Sequence, residues 1–342
     1  MNTAEFSLRL LDWYAEHGRD LPWRQTRDPY HIWISEIILQ QTRVAQGYDY
    51  FLRFVRCFPD VDSLANASED EVLRLWQGLG YYSRARNLHV ASRQIQAIGH
   101  FPNTYEEIRQ LKGVGDYTAA AIASMAFDLP HAVVDGNVYR VLSRYFGIDT
   151  PIDSTQGKRL FSAMAQEMMV PGHSADYNQA IMDFGAIQCT LKSPQCATCP
   201  LADSCQAYAD GTVDSLPVKQ HVTRVRNRYF TYFYVRCGGQ TLLQRRADGD
   251  IWQGLYQPPM FETSRPMTFA EVSAKVGKYG SPVLLREGFV HQLTHQRLHA
   301  DFYLLEASAR PEWEGLWIKE SERDQYAVPR LVEEMFKLIP IS

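Results

Sequence analysis

The chain has 342 residues and a formal net charge of −4, with 45% hydrophobic and 22% charged residues. That is length enough for two separate cores, with no apolar run near the roughly 18 residues that a membrane span requires. The first twenty residues carry acids and a histidine where a secretory leader needs an unbroken apolar stretch, so a cytoplasmic protein is expected.

Apolar residues recur at three- and four-residue spacings over 6–14, 32–44, 71–76, 91–98, 118–126, 138–146, 158–169 and 177–187, which predicts helices. Asn66 and Ser68 before the acids 69–71, and Asp153 with Ser154, supply start signals. Around Gly211 and Pro217 the composition turns polar and reads as a linker over 210–227. Strand-like runs follow at 229–236 and 241–245, joined as a hairpin across Gly238-Gly239. Alternation returns at 302–306, and a last helix is expected over 329–338. The expected fold is an all-α region, 1–209, then a smaller α+β domain, 228–342.

The acidic net charge gives no sign of a nucleic-acid partner, so such binding must rest on local patches. One lies between Val72 and Tyr105, which holds no acid but has Arg74, Arg84, Arg86 and Arg93; it is equally compatible with a solvated helix face. In LKGVGDYTA (111–119), Gly113 and Gly115 permit a tight turn with positive φ, and Thr118 with three alanines opens a helix. Backbone amides at such a helix start bind phosphate. The GxxxxGK[ST] pattern is absent from this turn, which disfavours nucleotide hydrolysis. Asp135-Gly136-Asn137 directly precedes a helix, where an aspartate commonly serves as N-cap. Glu36 lies on an apolar helical stripe with Ile32, Trp33 and Leu39, a setting that raises a carboxyl pKa. Cys189, Cys196, Cys199 and Cys205 are close enough in sequence to enclose one metal centre. Only Cys196 and Cys199 form a short knuckle, whereas structural zinc sites pair two; four thiolates are also the ligand set of an iron–sulfur cluster. Spacing leaves both open. Cys57 and Cys237 read as ordinary thiols.

The hairpin, VVDGNVYRVLSR (133–144) and the cysteine quartet, with LPWR (21–24), WISEIILQQTRV (33–44), GLGYYSRARN (78–87) and NQAIMDFGA (178–186), resemble the helix-hairpin-helix DNA glycosylases that carry a [4Fe–4S] cluster. Within that superfamily the chain is most similar to the adenine DNA glycosylases of MutY type. The resemblance implies a six-helix lobe near 24–130, and a cluster lobe from 1–23 and 131–209 in which the four cysteines hold the cluster. It makes Glu36 the acid that protonates the base and Asp135 the carboxylate facing the sugar cation, with Asn137 orienting Asp135 or the attacking water. Bifunctional relatives have a lysine at the place of Tyr117, so a monofunctional enzyme without strong lyase activity is implied. Gln41 would enter the base stack, Tyr81 would wedge beside the base opposite adenine, and Trp23, Arg24 and Gln179 would line the adenine pocket. Thr42, Arg84, Gly113, Gly115 and Thr118 complete the implied DNA contacts.

Residues 228–262 resemble the C-terminal domain of the same family, a relative of Nudix hydrolases. No Nudix box of acids follows Pro258-Pro259, so recognition rather than hydrolysis is expected. The family reads 8-oxoguanine with a Phe-Ser-His loop; the matching Leu293-Thr294-His295 departs at two of three positions, leaving the strength of lesion preference open. The partner implied is double-stranded DNA holding 8-oxoguanine·A or G·A, with repair proteins contacting the linker and, in a bacterium, nucleoid association. The rivals are a thymine or uracil mismatch glycosylase and a non-catalytic DNA-binding iron–sulfur protein.

Overall fold

The computed structural model of the chain describes residues 3–221 and 225–341. They divide into two compact units: residues up to 66 with 87–222, and residues 67–86 with 223 onward.

The first unit is helical. Helices α1 (Thr3–His17), α2 (Pro29–Leu39), α3 (Val44–Cys57) and α4 (Val61–Asn66) precede α5 (Glu69–Trp76), which lies in the second unit. Helix α6 (Ser83–Ile98) then leads to α7 (Tyr105–Arg109), α8 (Asp116–Phe127), α9 (Gly136–Phe146), α10 (Thr155–Glu167), α11 (Ser174–Asp183) and α12 (Gln206–Ala209).

Helix α2 starts on Pro29, with Asp28 accepting the Tyr30 amide, and buries side chains all around its circumference. It packs against α8, whose buried alanines allow close approach. The apolar spacing predicted one helix over 32–44. Instead α2 stops at Leu39, because Gln41 adopts φ +57 and redirects the chain before α3. Periodicity is blind to a left-handed residue inside an apolar pattern. In the hairpin between α7 and α8 only Gly113 takes positive φ (+78); Gly115 is an extended N-cap at φ −96. Helix α11 runs into a single wide turn over Phe184–Gln188.

Residues 210–221, expected in a linker, are bonded to this unit. Arg144 Nε donates to the Val213 and Leu216 carbonyls (2.9 and 3.1 Å), and Asp153 accepts the Gln220 and His221 amides (3.0 and 2.9 Å). Loop-like composition does not reveal that two side chains from elsewhere satisfy that backbone. Residues 222–224 of the expected linker lie outside the described residues.

The second unit has strands β1 (Arg226–Cys237), β2 (Gln240–Arg245), β3 (Tyr256–Gln257) and β4 (Met260–Thr263), helix α13 (Phe269–Val276), strands β5 (Pro282–Gln292), β6 (Gln296–Glu306) and β7 (Leu316–Lys319), and helix α14 (Arg330–Phe336). The sheet order is β3-β2-β1-β6-β5, with β4 on β1 and β7 on β2; β1 and β6 are parallel and the other pairs antiparallel. Alternation along β1 sends Phe230, Tyr232 and Tyr234 into a core with α14, and Phe233 and Val235 into another with α13. The Gly238-Gly239 turn has both φ values positive, as a two-residue hairpin requires. Helix α13 and strands β3, β4, β5 and β7 were not predicted: the strands are short or lack clean alternation, as in β5.

Segment 67–86 is tied into this sheet unit. Arg245 Nη2 meets Glu69 Oε1 at 2.9 Å, and Arg86 Nη1 donates to the Gln253 carbonyl at 2.6 Å. Gln77 accepts the Val328 amide (3.2 Å) and donates to Glu333 (2.7 Å).

Candidate active site

In the first unit a cavity of about 740 Å³ gathers residues from both halves of the helical sequence. Of the residues singled out above, Trp23, Arg24, Glu36, Gln41, Thr42, Tyr117, Asp135 and Asn137 line it. Gln179 does not; it accepts the Tyr14 hydroxyl at 2.6 Å, and the Tyr14 ring lies 5.9 Å from the Arg24 guanidinium.

Glu36 projects from the middle of α2 and is 7% exposed. Burial pushes its pKa up to about 7; a Tyr117 hydroxyl bond and the Arg24 charge oppose the shift without cancelling it. Burial also drives the Tyr117 hydroxyl well above its usual range, and it stands 3.3 Å from Met182 Sδ.

Asp135 has a different setting. It caps α9, accepting the Asn137 amide (2.9 Å), the Val138 amide (2.8 Å) and Asn137 Nδ2 (2.8 Å). Burial raises its pKa, but these bonds and Arg140 act against that rise. Hydrogen bonds at a helix N-terminus favour the carboxylate. One cavity therefore holds a carboxyl poised near neutrality with few polar partners and a second carboxyl capping a helix with three hydrogen bonds.

Three residues that sequence reasoning missed brace the walls. Asp183, fully buried, takes both Arg24 nitrogens (2.6 and 2.7 Å) and Arg19 Nε (2.9 Å). Burial alone would raise its pKa, but the two arginines hold it below the usual range. An acid inside the apolar run IMDF was the available signal, the same one that marked Glu36. Arg140 Nη2 donates to Asn137 Oδ1 (2.7 Å) and the Gly185 carbonyl (2.6 Å), while its Nε reaches the Cys189 carbonyl (2.8 Å). Gly185 permits this packing, since a Cβ there would sit 2.6 Å from that of Asn137.

Cys189, Cys196, Cys199 and Cys205 line one small cavity of about 30 Å³. Burial raises the Cys196, Cys199 and Cys205 thiols, Cys199 to about 11. Arg144 stands beside them, with Nη1 3.5 Å from Cys189 Sγ and 2.7 Å from the Thr190 carbonyl. Among the described residues, no three His, Cys, Asp or Glu side chains converge tightly enough to ligate one common ion.

The implied DNA contacts divide by setting. Gln41 is exposed in its left-handed conformation. Thr118 is buried and accepts Gln40 Nε2 at 3.1 Å. In the second unit Tyr81 is 48% exposed at φ +48, while Arg84 is buried and donates to the Gly80 carbonyl at 3.2 Å. Leu293, Thr294 and His295 form the turn between β5 and β6, and with Tyr81 they line a second cavity of about 520 Å³. The Tyr81 hydroxyl and Thr294 Oγ1 are hydrogen-bonded.

Comparison with known proteins fits these arrangements. Residues 34–166 match the family described as HhH-GPD superfamily base excision DNA repair protein, and 231–338 match the NUDIX domain. An adenine DNA glycosylase of Buchnera aphidicola subsp. Schizaphis graminum is 30% identical over 99% of both chains. Another, from B. aphidicola subsp. Baizongia pistaciae, is 34% identical over 87% of this chain and 85% of that one. The human adenine DNA glycosylase is 44% identical over 58% of this chain and 38% of its own. Among solved structures, a thermostable thymine-DNA glycosylase superposes with TM-score 0.57 at 30% identity, covering 61% of this chain and 97% of that one. An endonuclease III–DNA complex, at 20% identity and TM-score 0.53 over 62% of this chain and 98% of that one, shares the helical fold. Full-length likeness at this identity, not fold alone, decides the assignment: the chain belongs to the adenine DNA glycosylase family of helix-hairpin-helix base excision repair enzymes, which hydrolyse the N-glycosidic bond of adenine in DNA.

Proposed function

We propose that the first unit's cavity receives an adenine extruded from the duplex, mispaired with 8-oxoguanine or, less favourably, guanine. The observation that carries the reading is the contrast between two carboxyls in one cavity. Glu36, raised to about 7, keeps a proton near neutrality and gives it to the departing base. Asp135, whose carboxyl accepts three hydrogen bonds at the α9 N-terminus, faces the positive charge that develops on the sugar as the bond to the base breaks. Asn137, held by Arg140, fixes Asp135 and the water that attacks the sugar. Arg24, locked onto Asp183, and Trp23 hold the base. Tyr117 stands where bifunctional relatives have the Schiff-base lysine, so strand cleavage by the enzyme itself is not expected.

Extrusion costs a few kcal/mol. Gln41, exposed and already turned out of the helical path, fills the vacated stack. Tyr81 and Thr294 meet the opposite base, Thr294 exchanging its bond to Tyr81 for one to the oxidised purine. Cys189, Cys196, Cys199 and Cys205 hold a [4Fe–4S] cluster. Four thiols lining one shared void fit a core in which each iron takes one cysteine. That cluster supplies structural cross-linking, because glycosidic hydrolysis transfers no electron.

The test is single-turnover excision on duplexes holding 8-oxoguanine·A, G·A, G·T and G·U, each read with and without hot alkali. Strand breaks only after alkali, fastest at 8-oxoguanine·A and levelled toward G·A by Thr294→Ala, are expected. Excision at G·T or G·U would move the chain to the thymine or uracil mismatch reading, and breaks without alkali would refute the monofunctional reading.

A further inference from the structure

Five residues other than glycine have positive φ among the described residues: Gln41, Tyr81, Asp128, Ser193 and Trp252. Asp128 is the left-handed C-cap of α8 and Ser193 a small loop residue. Gln41 and Tyr81 are the two proposed wedges. Trp252, at φ +61, is a bulky side chain in a conformation such residues rarely adopt, and strain of this kind collects at functional sites.

The resemblance between Trp252 and Tyr81 goes further. Both line the 520 Å³ cavity of the second unit, together with Thr294. Each ring has an arginine against it: Arg84 lies 5.7 Å from the Tyr81 centroid and Arg246 lies 5.8 Å from that of Trp252. The loop presenting Trp252 is over-determined. Arg246 Nε donates to the Ile251 carbonyl (2.8 Å), Nη1 to Gln257 Oε1 (2.8 Å) and Nη2 to Asp250 (2.6 Å). Asp250 is gripped by Arg228 as well, at 2.7 and 2.8 Å. The Gly254 amide closes on the Arg246 carbonyl (3.1 Å) and the Leu255 amide on that of Trp252 (3.0 Å). So many bonds hold the strained residue in place and present a pre-set aromatic surface to the cavity. The ring is half-buried and packs against the α14 core, with His291 6.0 Å away, whose pKa burial and the Arg330 charge lower.

We infer that Trp252 is a base-stacking residue, the second aromatic wall of the site that reads the purine opposite the target adenine. Tyr81 and Thr294 meet that purine from one side and Trp252 receives its face or that of its sugar, the kind of stacking that binds bases without sequence preference. The inference rests on the lesion-recognition reading of Tyr81 and Thr294.

The test uses the full chain labelled with 5-fluorotryptophan, the Trp252 resonance being assigned by its disappearance in Trp252→Phe. Adding a duplex with 8-oxoguanine opposite a non-hydrolysable adenosine analogue should shift that resonance, and an undamaged duplex should not. Trp252→Ala should weaken binding to the damaged duplex about tenfold, with Trp252→Phe near wild type. If Trp252→Ala fails to fold, the fluorine shift alone decides. A Trp252 resonance unmoved by the damaged duplex, or moved equally by both, overturns the inference. Equal wild-type excision at 8-oxoguanine·A and G·A would instead overturn the lesion reading beneath it.

Discussion

Replacing Glu36 with glutamine should cost the enzyme its chemistry and stabilise its fold, by an amount that depends on pH. The folded pKa of about 7 lies above the ordinary glutamate value of 4.5, so the native state holds its proton longer than the unfolded chain does. For a group shifted in that direction, stability is greatest below the unfolded pKa and declines as pH rises through the folded one. That shift makes the ionised Glu36 side chain cost roughly 3 kcal/mol near pH 8 but only about 1 kcal/mol near pH 5. Glutamine matches the shape, retains an acceptor for the Tyr117 hydroxyl and never ionises. Glu36→Gln should therefore be nearly isostable with wild type near pH 5 and more stable near pH 8 by several degrees in the first unfolding transition, at about 2–4 °C per kcal/mol. Excision should fall roughly a hundredfold or more below pH 7, and by less near pH 8, where wild-type Glu36 has itself lost most of its proton. The assay is thermal unfolding of both proteins across that range, beside single-turnover excision. A stability difference that stays flat with pH would refute a buried, neutral Glu36.

Two further outcomes follow from the geometry. Asp135→Asn keeps a good N-cap for α9, so thermal stability should change by less than about 1 kcal/mol, yet loss of the charge should slow excision roughly a hundredfold or more; an active variant would remove Asp135 from the chemistry. In the hairpin, Gly113→Ala meets both positive φ and a Cβ 2.6 Å from that of Asn87, and should destabilise by about 1 kcal/mol or more, read by thermal melting. Gly115→Ala meets nothing within 4 Å at an ordinary φ, so it should melt like wild type and weaken DNA binding only through lost close approach, measured by titration with an undamaged duplex; equal melting shifts for the two would refute this account.

Much of the helical architecture was readable locally. Ser68 and Ser154 cap helices as their positions predict, with Glu71 completing a capping box, and Asp135 sits at the N-cap its Asp-Gly-Asn context announced. Glu36 could be picked out because an acid on an apolar stripe is a local anomaly. What the amino-acid order determined by itself, then, was where helices begin, which residue types are chemically out of place, and where four thiols lie near one another along the chain. What the tertiary structure alone decided is whatever depends on neighbours distant in sequence. Glu36 is raised toward neutrality because tertiary packing buries it, with Tyr117, Arg24 and Asp135 brought to it from other segments. Asp183 serves as the anchor of Arg24 because the chain before α2 returns to the end of α11. Segment 67–86, helical in pattern and continuous with the first unit, belongs with the sheet because Gln77, Arg86 and Glu69 find their partners there. Periodicity and spacing report on a few residues at a time, whereas burial, charge partners and left-handed backbone are imposed by elements the local pattern never contains.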